Sequence, residues 1–141
     1  MNDPLQRASV SLLIQGDDLV PLEVTQLLGQ EPKRGVKRGE TFVGHNGRNV
    51  TAKTGQWVVG TGYREPPCID EQISELLSSL PESISVWDDL TRRFDCYVCV
   101  GAYFANDSWT GGILLEAQTL RLLGERGLAI DFDLYSPGAS S

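Results

Sequence analysis

Seven glycines punctuate the stretch from Pro32 to Gly62, and no other feature of this chain limits its possible folds so strongly. They separate two short strand-like stretches, Glu40–Val43 and Gln56–Val59, and glycine favours the tight turns that join neighbouring strands. The predicted hairpin tip is His45-Asn46-Gly47-Arg48, because Asn-Gly readily adopts the positive φ angles of such turns. We therefore expect antiparallel strand pairing in this region.

Helical and strand-like patterns alternate on both sides of the glycine-rich stretch. Ala8–Gln15 is a predicted buried strand, and a helix is predicted from Pro21 to Leu28 with Gly29 as its stop. The other predicted elements are a helical region over Ile69–Arg93 that Pro81 kinks or divides, a strand over Phe94–Phe104, a short return strand at Gly112–Leu115, a helix over Glu116–Arg126 and a strand over Ala129–Tyr135.

This order of elements decides the predicted fold class. Hairpins between crossovers favour an α+β fold with a mixed, mainly antiparallel sheet and helices on one face, rather than a doubly wound parallel sheet. The specific expectation is a ferredoxin-like βαββαβ core with an added αβ unit. We expect residues 1–136 to form a single domain and residues 137–141 to form a flexible C-terminal tail.

Four landmarks along the chain resemble a known family. They are Leu13-Ile14-Gln15-Gly16-Asp17-Asp18 with Pro21 and Thr25-Gln26-Leu27-Leu28-Gly29; Gly39-Glu40; Lys53-Thr54-Gly55-Gln56-Trp57; and Leu128-Ala129-Ile130-Asp131-Phe132-Asp133. Together they are similar to the small bacterial proteins catalogued as domain of unknown function 4279. The resemblance covers nearly the whole chain and implies an α+β domain, and it transfers no catalytic residue.

Composition is that of an ordinary globular protein, with 40% hydrophobic and 22% charged residues. No apolar run approaches the length that spans a bilayer, and the first residues lack the basic and apolar regions of a signal peptide. We therefore expect a cytoplasmic protein with no membrane partner.

The residues that most often carry catalysis or bind metal are sparse here. Cys96 and Cys99 have the spacing of a redox or zinc motif, but residues three apart on a strand point to opposite faces, which favours structural cysteines. His45 is the one histidine, and it lies in a predicted turn. Asp131 and Asp133 share a strand face, which is typical of a half-solvated strand. We expect no catalytic residue, no metal site and no cofactor.

Charge is distributed unevenly along the chain. Residues 32–64 contain seven basic residues and one acidic residue, although the whole chain has a net charge of −7. The acidic remainder disfavours a nucleic-acid partner. The basic side chains either form an exposed surface that attracts an acidic partner protein or pair with the acidic helices. The candidate binding residues of this segment are Lys33, Arg34, Lys37, Arg38 and Lys53.

Two tryptophans complete the set of candidate binding residues. Trp57 either fills the core or forms the floor of a pocket, and the strand that continues after it favours the core. Trp109 lies in a polar loop, where it is either an exposed contact or an anchor on the core. The leading hypothesis is a non-enzymatic accessory or immunity-type module that binds a protein. The alternative is an enzyme or small-ligand binder with a pocket near Trp57, Lys53, Arg38 and Asp131.

Overall fold

A computed structural model describes residues 5–44, 46–105 and 112–136 of the chain. His45, Trp109 and the predicted tail at residues 137–141 lie outside these ranges. In chain order the elements are β1 (Leu5–Gly16), α1 (Pro21–Leu28), β2 (Arg34–Val36), β3 (Thr41–Val43), β4 (Asn49–Thr51), β5 (Gly55–Gly60), α2 (Ile69–Ser78), α3 (Ile84–Arg93), β6 (Asp95–Phe104), α4 (Ala117–Glu125) and β7 (Ala129–Tyr135).

The strands form one mixed sheet of five strands and a separate two-stranded hairpin. The order in the larger sheet is β2-β5-β1-β6-β7, and β3 pairs with β4. Three of the four pairings in the larger sheet are antiparallel, and only β6 and β7 run parallel. The fold is therefore α+β with a mixed, mainly antiparallel sheet, as the order of the elements predicts.

The long central strand β1 gives the sheet two different faces. Its alternate residues Ala8, Val10, Leu12 and Ile14 are fully buried. They share one core with buried side chains from all four helices, so this is the helix-covered face. The residues between them point to the opposite side, since successive strand residues alternate between the faces. That opposite side, the open face, includes Ser9, Ser11 and Leu13 of β1, Gln56 and Val58 of β5, and Tyr97, Cys99 and Tyr103 of β6, all half-buried.

The glycine-rich stretch contains the expected hairpin, but its strands pair differently from the prediction. The described residues of the predicted tip, Asn46 to Arg48, lie between the paired strands β3 and β4, and Gly47 has a φ of 79°. The predicted strand Gln56–Val59 lies instead in β5, between β1 and β2 of the main sheet. Strand β2, which the sequence analysis does not predict, pairs with β5. Apolar alternate residues of β5 are buried under the helices, and this burial decides its place in the sheet.

The helices agree closely with the sequence pattern. The region that Pro81 interrupts is two helices, α2 and α3, rather than one kinked helix.

The return strand predicted at Gly112–Leu115 is wrong, because the described residues from 112 to 116 have no regular structure. A parallel neighbour of β6 needs a crossover connection, and α4 provides it before β7. Within the described ranges, no helix combines the length and apolar character needed to cross a bilayer.

Candidate functional site

A cavity of interest lies between the open face and the β3–β4 hairpin. Its volume is about 510 Å³, and it is lined by Ser11, Lys33, Arg34, Phe42, Val43, Gly44 and Val58. Ser11 and Val58 belong to the open face, whereas Phe42 and Val43 belong to the hairpin. The hairpin therefore forms one wall of the cavity and the sheet forms another.

Two of the predicted basic residues lie at this cavity. The backbone N–H of Lys33 donates to the carbonyl of Val58 at 2.7 Å, which places Lys33 directly before β2. Arg34 is paired with Val58 across the β2–β5 ladder. Its guanidinium carbon lies 4.8 Å from the ring centroid of Phe42, within the range of a cation–π contact.

The other three predicted basic residues lie at the base of the hairpin. The backbone N–H of Gly39 donates to the carbonyl of Ala52, and the N–H of Ala52 donates to the carbonyl of Glu40, both at 2.8 Å. These two bonds bring the segment that carries Lys37 and Arg38 next to Lys53. All three side chains belong to exposed residues.

Most basic residues between positions 32 and 64 have no ion-pair partner among the described residues. Arg38 lies 3.4 Å from Asp17, with both side chains more than 60% exposed, so the pair contributes little to stability. Within the described part of the chain, no carboxylate lies within 4.0 Å of the charged nitrogens of the remaining exposed cations. These are Lys33, Arg34, Lys37, Arg48 and Lys53.

Arg64 is the exception, and it shows what pairing with an acidic helix looks like in this protein. Its two terminal nitrogens donate to the Glu75 carboxylate on α2 at 2.5 and 2.8 Å. The hydrogen bond from Arg64 lowers the pKa of the Glu75 carboxyl. The interpretation that basic residues of this segment pair with the acidic helices therefore holds for Arg64.

Trp57 lies in the core and lines neither that cavity nor a smaller one beside Arg64 and Glu75. It is fully buried on the helix-covered face, and its indole N–H donates to the Thr25 hydroxyl of α1 at 3.0 Å. With no exposed surface, the Trp57 indole does not form the floor of an open pocket. Asp131 lies on β7, three strands from β5 in the sheet order.

Sequence reasoning missed the residues that complete the cavity. Ser11 and Val58 are far apart in the chain and lie on paired strands β1 and β5, and the separate β3–β4 hairpin places Phe42 on the other side of the cavity. A weak signal for Ser11 exists, because serines alternate with apolar residues in Ser9-Val10-Ser11-Leu12 and so mark a face that is not core.

A second missed cluster lies on the open face near the end of β7. The Arg7 guanidinium lies over the rings of Tyr63 and Tyr103, at 4.9 and 4.3 Å from their centroids. Tyr103 stacks on Tyr135 with 4.7 Å between ring centroids. Burial is the first cause that raises the pKa of Tyr63, and a hydrogen bond with Tyr103 is the second. Arg7, Tyr103 and Tyr135 lie in one cross-strand row, which only the register reveals.

The CxxC cysteines lie on opposite faces of β6, as the strand pattern predicts. Cys96 is buried on the helix-covered face, and burial raises the pKa of its thiol to about 12, with nearby Asp95 as a smaller cause. Cys99 lies on the open face, where burial first and Asp131 second raise the pKa to about 11. All three cysteines are free thiols, and Cys68 is exposed. In the described ranges, no cluster of three His, Cys, Asp or Glu side chains is arranged to hold a metal ion.

These environments predict unequal thiol reactivity. The thiolate is the reactive form of cysteine. With a pKa of about 11, only about one Cys99 thiol in a thousand is ionised near pH 8, and the ionised fraction of Cys96 is smaller still. We expect iodoacetamide to alkylate exposed Cys68 first, with Cys99 and Cys96 modified slowly in the folded protein, as followed by peptide mass spectrometry. In urea all three should react alike. Alkylation of Cys99 as fast as Cys68 under native conditions would contradict the buried, acid-flanked environment.

Comparison with protein families gives one finding that bears on this site. A family described as a domain of unknown function (DUF4279) matches residues 6–137, which include every residue of the cavity. No curated protein matches the chain, and no solved structure matches it.

Proposed function

This chain belongs to the DUF4279 family, and from the arrangement of its charges we propose that it is a non-enzymatic module that binds the acidic surface of a partner protein. The observation that carries the proposal is the set of exposed cations without a carboxylate partner in the described ranges. Exposed charges of one sign attract a partner of opposite sign and accelerate its association. We define the basic surface as Lys37, Arg48 and Lys53 on and beside the hairpin, together with Lys33 and Arg34 at the cavity.

The hairpin also offers apolar contact area beside these cations. Val43 is 67% exposed and Val50 is 40% exposed. Protein interfaces usually combine an apolar centre with a polar or charged rim. Val50 pairs with Phe42 and Val43 pairs with Asn49, so each face of the hairpin carries one exposed valine. These valines support a protein as the partner, because a nucleic acid would contact the cations mainly through its phosphates.

The test reverses two charges of the basic surface that lie outside the cavity. Lys37→Glu/Lys53→Glu is compared with the wild type and with Arg121→Glu, a reversal of an exposed charge on α4. Each protein is immobilised and exposed to lysate of the source organism, and retained proteins are quantified by mass spectrometry. Association and dissociation rates are then measured with the purified partner at several salt concentrations.

We expect the double variant to slow association by about tenfold or more, with a smaller change in dissociation. Melting temperatures should stay close to the wild-type value, since surface substitutions usually change stability little. A partner retained equally by the wild type and the double variant would contradict the proposal. If Arg121→Glu slowed association as much as the double variant, the effect would depend only on net charge, and this result would also contradict the proposal.

We also propose that the core has the ferredoxin-like βαββαβ arrangement with an added αβ unit. The strand order β2-β5-β1-β6 supports this, because β5 lies between β1 and β2 as in a split β-α-β motif. In this assignment α2 and α3 together form the second crossover, the β3–β4 hairpin is an insertion, and α4 with β7 is the added unit. Three free thiols support a reducing compartment, and we propose the cytoplasm.

A further inference from the structure

We propose that the cavity beneath the β3–β4 hairpin binds a small organic anion, in which a carboxylate or phosphate group is attached to an apolar ring. This goes beyond recognition of an acidic protein surface, because the ligand enters a cavity between two walls. The cavity volume of about 510 Å³ lies within the range of small-molecule sites. Its lining divides into a cationic part and an apolar part, and each part selects one feature of the ligand.

In the cationic part of the cavity, Lys33 and Arg34 can only donate hydrogen bonds, whereas the Ser11 hydroxyl can donate and accept them. The Lys33 ammonium and Arg34 guanidinium are donors without acceptor capacity, and the Ser11 hydroxyl can donate as well. Among the described residues that line the cavity, none carries a carboxylate. A ligand that satisfies these donors is therefore rich in acceptors and negatively charged. Carboxylate and phosphate meet that requirement, and both match the fork geometry of arginine.

Arg34 is oriented before any ligand arrives. Its position opposite Val58 in the ladder places the backbone, and the cation–π contact with Phe42 restrains the guanidinium. No ion pair with a described carboxylate competes for it. A restrained and unpaired arginine loses less entropy on binding than a free surface side chain, which favours a specific site.

The apolar part selects a ring. Phe42, whose ring lies under the Arg34 guanidinium, lines the hairpin side of the cavity, and Val58 lines the sheet side. An aromatic or aliphatic ring between Phe42 and Val58 would remove their apolar surface from water while its anionic group meets Lys33 and Arg34. Inorganic phosphate would use only the cationic part, so it should bind more weakly than an aryl phosphate.

The test uses four small probes that separate these features. Phenyl phosphate and benzoate carry a ring and a negative group, benzamide carries the ring without the charge, and inorganic phosphate carries the charge without the ring. Binding is measured by isothermal titration calorimetry, and the site is located by amide chemical shifts of Ser11 and Val58. We expect phenyl phosphate or benzoate to bind saturably below about 10 mM, and benzamide and inorganic phosphate to bind at least about tenfold more weakly. Which of the two anions binds more tightly identifies the preferred group.

Variants then assign the binding to the cavity. Arg34→Gln should weaken the better probe by about tenfold or more, and Arg34→Lys should weaken it less, because lysine keeps the charge without the fork. Arg121→Gln removes one exposed charge on α4, outside both the cavity and the basic surface, and is the matched control, with affinity expected to stay near the wild-type value. An equal loss in Arg34→Gln and Arg121→Gln, equal affinity for benzamide and benzoate, or no saturable binding of either anion would overturn the proposal. The protein-binding test changes Lys37 and Lys53, which do not line the cavity, so the two proposals fail separately.

Discussion

Replacing Trp57 with alanine is expected to lower the free energy of unfolding by about 3–5 kcal/mol, among the largest effects of any single truncation in this protein. Trp57 is fully buried on the helix-covered face of β5, and its neighbours there come from the sheet and from α1. Alanine would leave a cavity that the surrounding core cannot fill, and it would leave the Thr25 hydroxyl without its hydrogen-bond donor. Urea unfolding followed by far-ultraviolet circular dichroism measures the loss without relying on the fluorescence of the deleted indole.

A milder pair of variants isolates the hydrogen bond. Trp57→Phe and Thr25→Val each remove one partner of the bond, and the double variant closes a thermodynamic cycle. We expect a coupling energy of about 1 kcal/mol, the usual net value of such a bond. A loss below about 1 kcal/mol for Trp57→Ala would show that the indole does not fill the core. That result would reopen the interpretation of Trp57 as the floor of a pocket.

Replacing Gly60 with valine is expected to destabilise the fold by about 3 kcal/mol, because β1 and β5 approach too closely for a side chain there. A Cβ atom at Gly60 would lie 2.6 Å from the Val10 carbonyl oxygen and 3.1 Å from the Ser11 Cα atom. Both are backbone atoms of β1, so relief requires a shift of the central strand pairing. Gly60 pairs with Ser11, whose hydroxyl borders the cavity, so the same shift should also weaken anion binding.

Gly124→Ala provides the matched control for this second prediction. A Cβ atom at Gly124 meets nothing within 4 Å, and the residue lies in α4. Alanine is the better helix former, so this variant should gain up to about 1 kcal/mol. If β1 and β5 approach as closely as the structure shows, thermal unfolding should give a lower melting temperature for Gly60→Val and a higher one for Gly124→Ala. A Gly60→Val protein as stable as the wild type would contradict the register between these strands.

The agreement between prediction and structure is best where a local pattern decides the outcome. The last strand has the predicted bounds, Ala129–Tyr135, because its alternation of apolar and acidic residues is complete within seven residues. The first helix starts at Pro21 because proline suits the first helical position. Pro81 divides α2 from α3 because it cannot continue a helix interior. Each of these signals acts between near neighbours in the chain.

The disagreements arise where a choice depends on distant residues. Gln56–Val59 has the composition of a strand, but composition cannot say whether its partner is the nearby hairpin or the remote strand β1. The answer came from burial, because only in the main sheet does Trp57 reach the core beneath the helices. The return strand predicted at Gly112–Leu115 is wrong for the same reason. The parallel neighbour of β6 in the sheet is β7, which the chain reaches only after α4.

The candidate site divides in the same way between sequence and tertiary structure. From the sequence alone come the family, the α+β class, the concentration of basic residues at 32–64 and the opposite orientation of Cys96 and Cys99. The tertiary structure decided that Arg34 and Ser11 line one cavity with Phe42, because strand pairing joins β2 and β1 to the distant strand β5 and the hairpin forms the opposite wall. It also decided which cations remain unpaired, since ion pairing depends on distances of a few ångströms between side chains that the chain order does not place.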